Sequence, residues 1–196
     1  MAERVMRANG EASRLRILDA ALEIAGERGY SGTSISEVSK RSGLPNSSIY
    51  WYFKDKDALL AAVIEHSYQQ WRAGFDEQAN SAPHSPGDAL NRLYESLNHF
   101  PAFLRFGLLV TLEQGNQDTS AREAFLRIRS ESLTDLATVI SRLSGCTRTI
   151  AKEMAALSLA MMDGAVLAGA AGEKSLMTKG TLGKLLDACV RDAMAR

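Results

Sequence analysis

The chain has 196 residues with Lys+Arg and Asp+Glu equal at 23, which leaves room for one or two domains and a real core, but no overall charge that would draw it to nucleic acid or a lipid surface. Two cysteines, Cys146 and Cys189, are too few for a disulfide framework and lie in no metal-ligand spacing. No apolar run reaches the length of a membrane span and the N-terminus lacks a signal-peptide run, so the expectation is a soluble cytoplasmic protein without a membrane partner.

Helical periodicity fills the sequence and strand signals are nearly absent, so the expected class is all-α, with about nine helices. The first spans residues 13–28, with Ile17, Leu18, Ala21, Leu22 and Ala25 on one stripe and Gly29 as its stop; Tyr30 should fold back onto that stripe. The second opens at Thr33 and Ser34, where Ser34 and Glu37 have the spacing of a capping box. Gly43 suits a left-handed turn, and Pro45 opens a third helix over residues 46–53, with Ile49 and Phe53 inward and the residues between them outward. Asp55 can cap a long fourth helix, residues 56–78. The Pro/Gly/Ser cluster at residues 80–87 is the main loop, and Ser85, Pro86 and Asp88 start the fifth helix. A sixth, residues 102–114, is apolar nearly all round. The seventh, residues 119–144, opens on the pair Ser120/Glu123. The eighth, residues 148–171, has its stripe at Ile150, Met154, Leu157, Met161 and Ala165, and the ninth covers residues 181–195.

Between Thr33 and Lys56 two short helical patterns meet at Ser42-Gly43-Leu44, and the second carries Tyr50, Trp51 and Tyr52 in a row. This is the layout of a helix-turn-helix, whose second helix enters the DNA major groove. Local charge fits: residues 39–56 hold Lys40, Arg41, Lys54 and Lys56 against Asp55 alone, and Arg4, Arg7, Arg14 and Arg16 lie in or just before the first helix.

These residues resemble the tetracycline-repressor (TetR/AcrR) family of bacterial transcriptional regulators. The resemblance covers residues 13–60 and rests on Gly29-Tyr30, Thr33, Ile35, Glu37-Val38, Gly43-Leu44, Ile49-Tyr50-Trp51-Tyr52-Phe53, Lys56 and Leu59 at the family's spacings. The chain departs from the usual pattern with Ser at 39 and 42 in place of Ala, Pro45 in place of Ser, and Ser47 in place of Gly. The resemblance implies a three-helix DNA-binding head, residues 1–55, and a helical ligand-binding and dimerisation domain, residues 56–196. It implies a homodimer paired through the eighth and ninth helices. It also implies phosphate contacts for Tyr50, Tyr52 and Lys56, whose hydroxyls and ammonium suit phosphate oxygens; Thr33 is a further donor or, equally, a cap. Asn46, Ser47, Ser48 and Trp51 face outward and are the candidate base readers.

For the C-terminal part the resemblance implies an apolar cavity lined by Trp71, Phe75, Phe103, Phe106, Phe125, Met161 and Met162, although core packing explains any one of them. Arg129 lies on the otherwise apolar side of the seventh helix and Asp163 in the middle of the eighth, and they either pair with each other or meet a polar ligand group. No catalytic constellation, cofactor loop or metal spacing stands out; His66, His84 and His99 form no ligand set. The expected function is a repressor released from a palindromic, double-stranded operator by a small apolar or aromatic effector. The alternatives are a constitutive regulator without effector, and a helical small-molecule binder or enzyme that retains a relic helix-turn-helix.

Overall fold

The computed structural model describes residues 2–78, 82–97, 102–115, 117–172 and 180–196. It is all-α: α1 (Ala2–Arg28), α2 (Ile35–Ser42), α3 (Asn46–Tyr52), α4 (Lys56–Gln78), α5 (Pro86–Ser96), α6 (Ala102–Gln114), α7 (Ser120–Ser144), α8 (Arg148–Ala170) and α9 (Thr181–Ala195), with no strand among the described residues. The helix boundaries follow the expected ones except at the start of α1, which begins at Ala2 and not near Ser13. The sequence there is rich in good helix formers such as Ala2, Glu3, Met6 and Arg7, and only Gly10 weighs against helix.

Contacts group the chain into two compact units: Met1–Gly74 with Pro101–Ile128, and Phe75–Phe100 with Arg129–Arg196. This grouping cuts the chain differently from the expected division after residue 55. The first unit groups the three N-terminal helices with α4 as far as Gly74, α6 and the start of α7. Its buried side chains include Ile17, Leu18, Ala21, Ile24 and Ala25 of α1, Val38, Ile49 and Phe53, then Leu59, Leu60, Val63 and Ile64 of α4. Apolar area removed from water at these positions is the main force holding the helices together, at about 25 cal/mol per Å2.

Short-range caps set the helix starts. Ser34 accepts from the Glu37 N–H at 3.2 Å and donates its hydroxyl to the Glu37 carboxylate at 3.0 Å. Asp55 accepts from the Ala58 N–H at 2.8 Å, and Ser85 from the Asp88 N–H at 3.0 Å. The start of α7 differs from expectation. Thr119, not Ser120, is its cap, accepting from the Arg122 N–H at 3.3 Å. The N–H groups of Ser120 and Ala121 go instead to the carboxylate of Asp57, at 2.6 and 3.2 Å.

In the second unit α5 and α9 cross in backbone contact. A Cβ on Gly183 would collide with the carbonyl of Gly87, and one on Gly87 with that of Gly183. The two helices also satisfy each other's first turns. Asp187 of α9 accepts from the Ser85 hydroxyl at 2.9 Å and the Gly87 N–H at 2.7 Å, while Asn91 of α5 accepts from the Gly183 N–H at 3.0 Å. Along α8 the buried face is Ala151, Ala155, Ser158 and Met162. The expected stripe, Ile150, Met154, Leu157, Met161 and Ala165, is only partly covered. Periodicity marks an apolar arc without telling which edge of it the chain's own helices cover, and the small side chains at 151, 155 and 158 admit the closer approach.

The crossing makes a stability prediction. Gly183→Ala should destabilise the chain by about 1–3 kcal/mol, the range for forcing extra volume into a packed contact. Urea unfolding followed by circular dichroism checks it, and an unchanged midpoint would contradict the crossing.

Candidate nucleic-acid interface

The turn between α2 and α3 is held from three sides. Gly43 has φ 69°, a left-handed conformation that costs a side-chain-bearing residue, and its N–H closes the end of α2 on the Ser39 carbonyl at 3.0 Å. The Ser39 hydroxyl donates to the Leu44 carbonyl at 2.7 Å, and Arg16 of α1 donates to the Ser42 carbonyl at 2.6 Å. Pro45 follows as the N-cap of α3 with no side-chain hydrogen bond, as its lack of a hydroxyl dictates. Ile49 and Phe53 are buried, and the Arg14 guanidinium lies 5.7 Å from the centre of the Phe53 ring. The seven residues of α3 are therefore anchored along one side.

The opposite side is open. Asn46 and Ser47 are exposed and Ser48 is half-buried. Tyr50 is 55% exposed and Trp51 78%. Two adjacent aromatics held out from so short a helix are costly to leave in water and are the most conspicuous surface feature of the head. All four candidate base readers, Asn46, Ser47, Ser48 and Trp51, lie on or beside this face.

The four candidate phosphate donors separate. The Tyr50 hydroxyl meets no described residue. Tyr52 is half-buried and its hydroxyl donates to the Gly10 carbonyl of α1 at 2.8 Å. Thr33 is only 2% exposed, and its hydroxyl donates to the Gly29 carbonyl at 2.8 Å. Its place is inside the turn between α1 and α2, and the capping position belongs to Ser34. The Lys56 ammonium donates to the Tyr30 carbonyl at 3.1 Å and sits 4.4 Å from the centre of the Tyr30 ring, which leaves further N–H bonds for other acceptors. Among the other cations near α3, Arg41 pairs with Glu23 at 2.6 Å, whereas Lys40 and Lys54 are exposed without an ion-pair partner among the described residues. The side chains of Arg4 and Arg7 lie outside the described residues.

Behind this surface lies a cluster invisible to local sequence patterns. Tyr30, which was expected to fold onto the α1 stripe, meets Lys56 and Asp57 at the start of α4. Burial, then the charge of Asp57 and a hydrogen bond with it, push the Tyr30 phenol up to about 12. The Asp57 carboxylate thus serves Tyr30 and two N–H groups of α7 at once. From α6, Glu113 accepts from the Ser31 N–H at 3.1 Å, next to the same turn.

Of the candidate ligand residues, Trp71, Phe103, Phe106 and Phe125 belong to the first unit. Trp71, Tyr68 and Phe103 form an aromatic cluster with ring centres 5.3–5.8 Å apart. Phe106 and Phe125 are fully buried, and Phe125 lies against Gly107, where a Cβ would collide with its ring. In the second unit Phe75 and Met161 are half-buried and Met162 is buried. There Arg129 and Asp163 form a two-pronged ion pair at 2.9 and 2.6 Å. Among the described residues no group of acidic, His or Cys side chains is arranged to hold a metal ion, and no helix is long and apolar enough to cross a membrane.

Comparison with known proteins agrees with this geometry. Residues 17–63 match the family described as bacterial regulatory proteins, tetR family. The HTH-type transcriptional regulator AcrR of Shigella flexneri is 36% identical over 96 residues, 49% of this chain and 43% of that protein; the chain thus spans less than half of that relative's length. Among solved structures, a transcriptional regulator from Rhodococcus sp. Rha1 superposes with a TM-score of 0.69 at 24% identity, covering 93% of this chain and 96% of the other. The transcriptional regulator FadR of Bacillus subtilis, solved in complex with stearoyl-CoA, gives 0.60 at 18% identity over 90% and 95%. These two likenesses show the fold.

The Tyr30 cluster predicts a pH effect. Its raised phenol means that the fold favours the neutral form, so the contribution is whole below the ordinary tyrosine range near pH 10 and is lost as pH climbs toward about 12. In a spectrophotometric titration, Tyr30→Phe should remove the latest-titrating phenol and flatten the loss of stability in that window. Removal of a component near pH 10 would contradict the cluster.

Proposed function

Because residues 17–63 place this chain in the tetR family of bacterial regulatory proteins, we propose that it is a DNA-binding transcriptional repressor. In this reading it acts as a homodimer on a roughly palindromic operator and is released by a small apolar or aromatic effector. The observation that carries the reading is α3: a short helix anchored on one side, with Tyr50 and Trp51 held out on the other. Asn46, Ser47 and Trp51 read bases, Ser48 lies at the edge of that face, and Tyr50, Lys54 and Lys56 meet phosphates.

Support for dimerisation comes from α8 and α9, which leave Leu157, Leu167, Leu185 and Met194 exposed, Leu167 at 69%. Apolar side chains on neighbouring helices that the chain itself does not cover suit a second copy, as does the open space around Gly164 and Gly169. Support for an effector comes from the aromatic cluster of Tyr68, Trp71 and Phe103 in the first unit. FadR, with the same fold, was solved with the acyl ligand stearoyl-CoA. Ligand and operator would then weaken each other reciprocally, with a coupling of about 1–3 kcal/mol. The full burial of Phe106 and Phe125 favours a second reading, a constitutive regulator whose core is filled in that region.

The test is selection of bound sequences from random duplexes by the purified chain, followed by a screen for compounds that release them. Lys56→Ala should weaken binding to all sequences alike and make the plot of log K against log salt shallower by about one phosphate contact. Trp51→Ala should instead change which sequences are selected. The chain should sediment as a dimer at micromolar concentration, and Leu157→Asp with Leu185→Asp should convert it to monomer. Absence of salt-dependent binding to any duplex sinks the DNA reading, and a stable wild-type monomer sinks the dimer.

A further inference from the structure

The Tyr52 hydroxyl, like that of Thr33 and unlike that of Tyr50, has its proton already given away inside the head. It points back from α3 to the Gly10 carbonyl of α1, at 2.8 Å. Gly10 sits inside a helix, where glycine is less favourable than alanine. Among the described residues, the Tyr52 hydroxyl is the group that a Cβ at Gly10 would meet, at 3.5 Å. That is an ordinary van der Waals distance, so what the hydroxyl needs at this position is the helical carbonyl. The early start of α1 at Ala2 is what provides that carbonyl, since a helix beginning at Ser13 would not include residue 10.

Tyr52 in turn touches the most exposed side chain of the head. Its ring meets the Trp51 indole edge to face, with centres 4.6 Å apart and planes at 90°. The indole has no other ring partner among the described residues, so the direction in which it leaves α3 rests on Tyr52. The chain of contacts runs from the Gly10 carbonyl to the Tyr52 phenol to the Trp51 indole. Arg14 on the Phe53 ring at the end of α3, and Arg16 on the Ser42 carbonyl at the end of α2, tie α1 to the same helix-turn-helix.

We propose that Tyr52 is a positioning residue for sequence selection and not a phosphate donor: bonded to the α1 extension through Gly10, it holds Trp51 in the pose that reads bases. The inference rests on the DNA-binding reading above and assigns that surface a division of labour. Tyr50 and the lysines supply grip, and Tyr52 supplies discrimination through its neighbour. A phenol whose proton is committed internally can give phosphate nothing without first breaking that bond, whereas a fixed indole distinguishes base pairs better than a swinging one.

The experiment compares the full-length chain with Tyr52→Phe, which keeps the ring and removes only the hydroxyl, in wild-type and Trp51→Ala backgrounds. Each protein selects from the same random duplex pool, and affinities for the best and next-best sequences are measured across a salt series. The expected result is a loss of discrimination of about two- to tenfold at the positions set by Trp51, the range one hydrogen bond carries. The salt slope should be unchanged, and Tyr52→Phe should have no further effect once Trp51 is alanine. A uniform loss on all sequences in both backgrounds, with a slope shallower by about one, overturns the proposal in favour of a phosphate donor. Unchanged discrimination in the wild-type background overturns it as well. If the wild-type chain binds no duplex, it is the DNA-binding reading that has failed.

Discussion

The first N–H groups of an α-helix have no partner within the helix, and at α7 two of them are met by a carboxylate from far away in sequence, Asp57. Asp57 stands in the first turn of α4, so one negative charge faces the positive ends of two helices, each of which it stabilises. The same group receives the Tyr30 phenol, and Tyr30 in turn holds Lys56 through its carbonyl and its ring. Two consecutive residues of α4 therefore face opposite duties within the first unit. Lys56 grips the turn between α1 and α2, and Asp57 grips the start of α7. Any displacement of the α7 terminus in this unit has a short polar route to Lys56, through groups that water would otherwise have to satisfy one by one.

What could be read from the sequence was what depends on neighbours three or four residues apart. The caps at Ser34, Asp55 and Ser85, the left-handed turn at Gly43, and the inward pair Ile49 and Phe53 are local, and local chemistry is enough to place them. Where a distant group intervenes, the reading slipped. Ser120 and Glu123 have the spacing of a cap, yet the helix starts one residue earlier on Thr119, and Asp57 takes the N–H groups of Ser120 and Ala121. Thr33 is an exception to that rule: the Gly29 carbonyl that takes its hydroxyl is only four residues away. Tyr52 carries a surface-type side chain, and only the unexpected length of α1 puts an acceptor beside it.

The candidate ligand residues show the same limit from the other side. An aromatic residue on an apolar stripe has one signature in sequence whether it lines a cavity or fills a core. In the structure Phe106 and Phe125 are sealed, while Trp71 and Phe103 share a cluster with Tyr68. Arg129 on the apolar side of α7 and Asp163 in the middle of α8 were recognisable as charges that require partners, and they are each other's partner. The identity of the partner depended on how α7 and α8 pack, which no spacing along either helix records.

The crossing of α5 and α9 bears on the order in which the chain can acquire its structure. Asp187 and Ser85 are 102 residues apart, Asp187 and Gly87 100, and Gly183 and Asn91 92, so these contacts carry a large loop-closure entropy. During synthesis α5 is complete long before α9 exists, and until then the Gly87 N–H has only water, while Asn91 has nothing to accept. The second unit thus closes last and all at once: two glycine backbones dock, and the two helix starts are satisfied by the same event. A ribosome pausing after α7 and before α9 would hold a chain whose first unit, which ends at Ile128, can settle while the second still waits for its final helix.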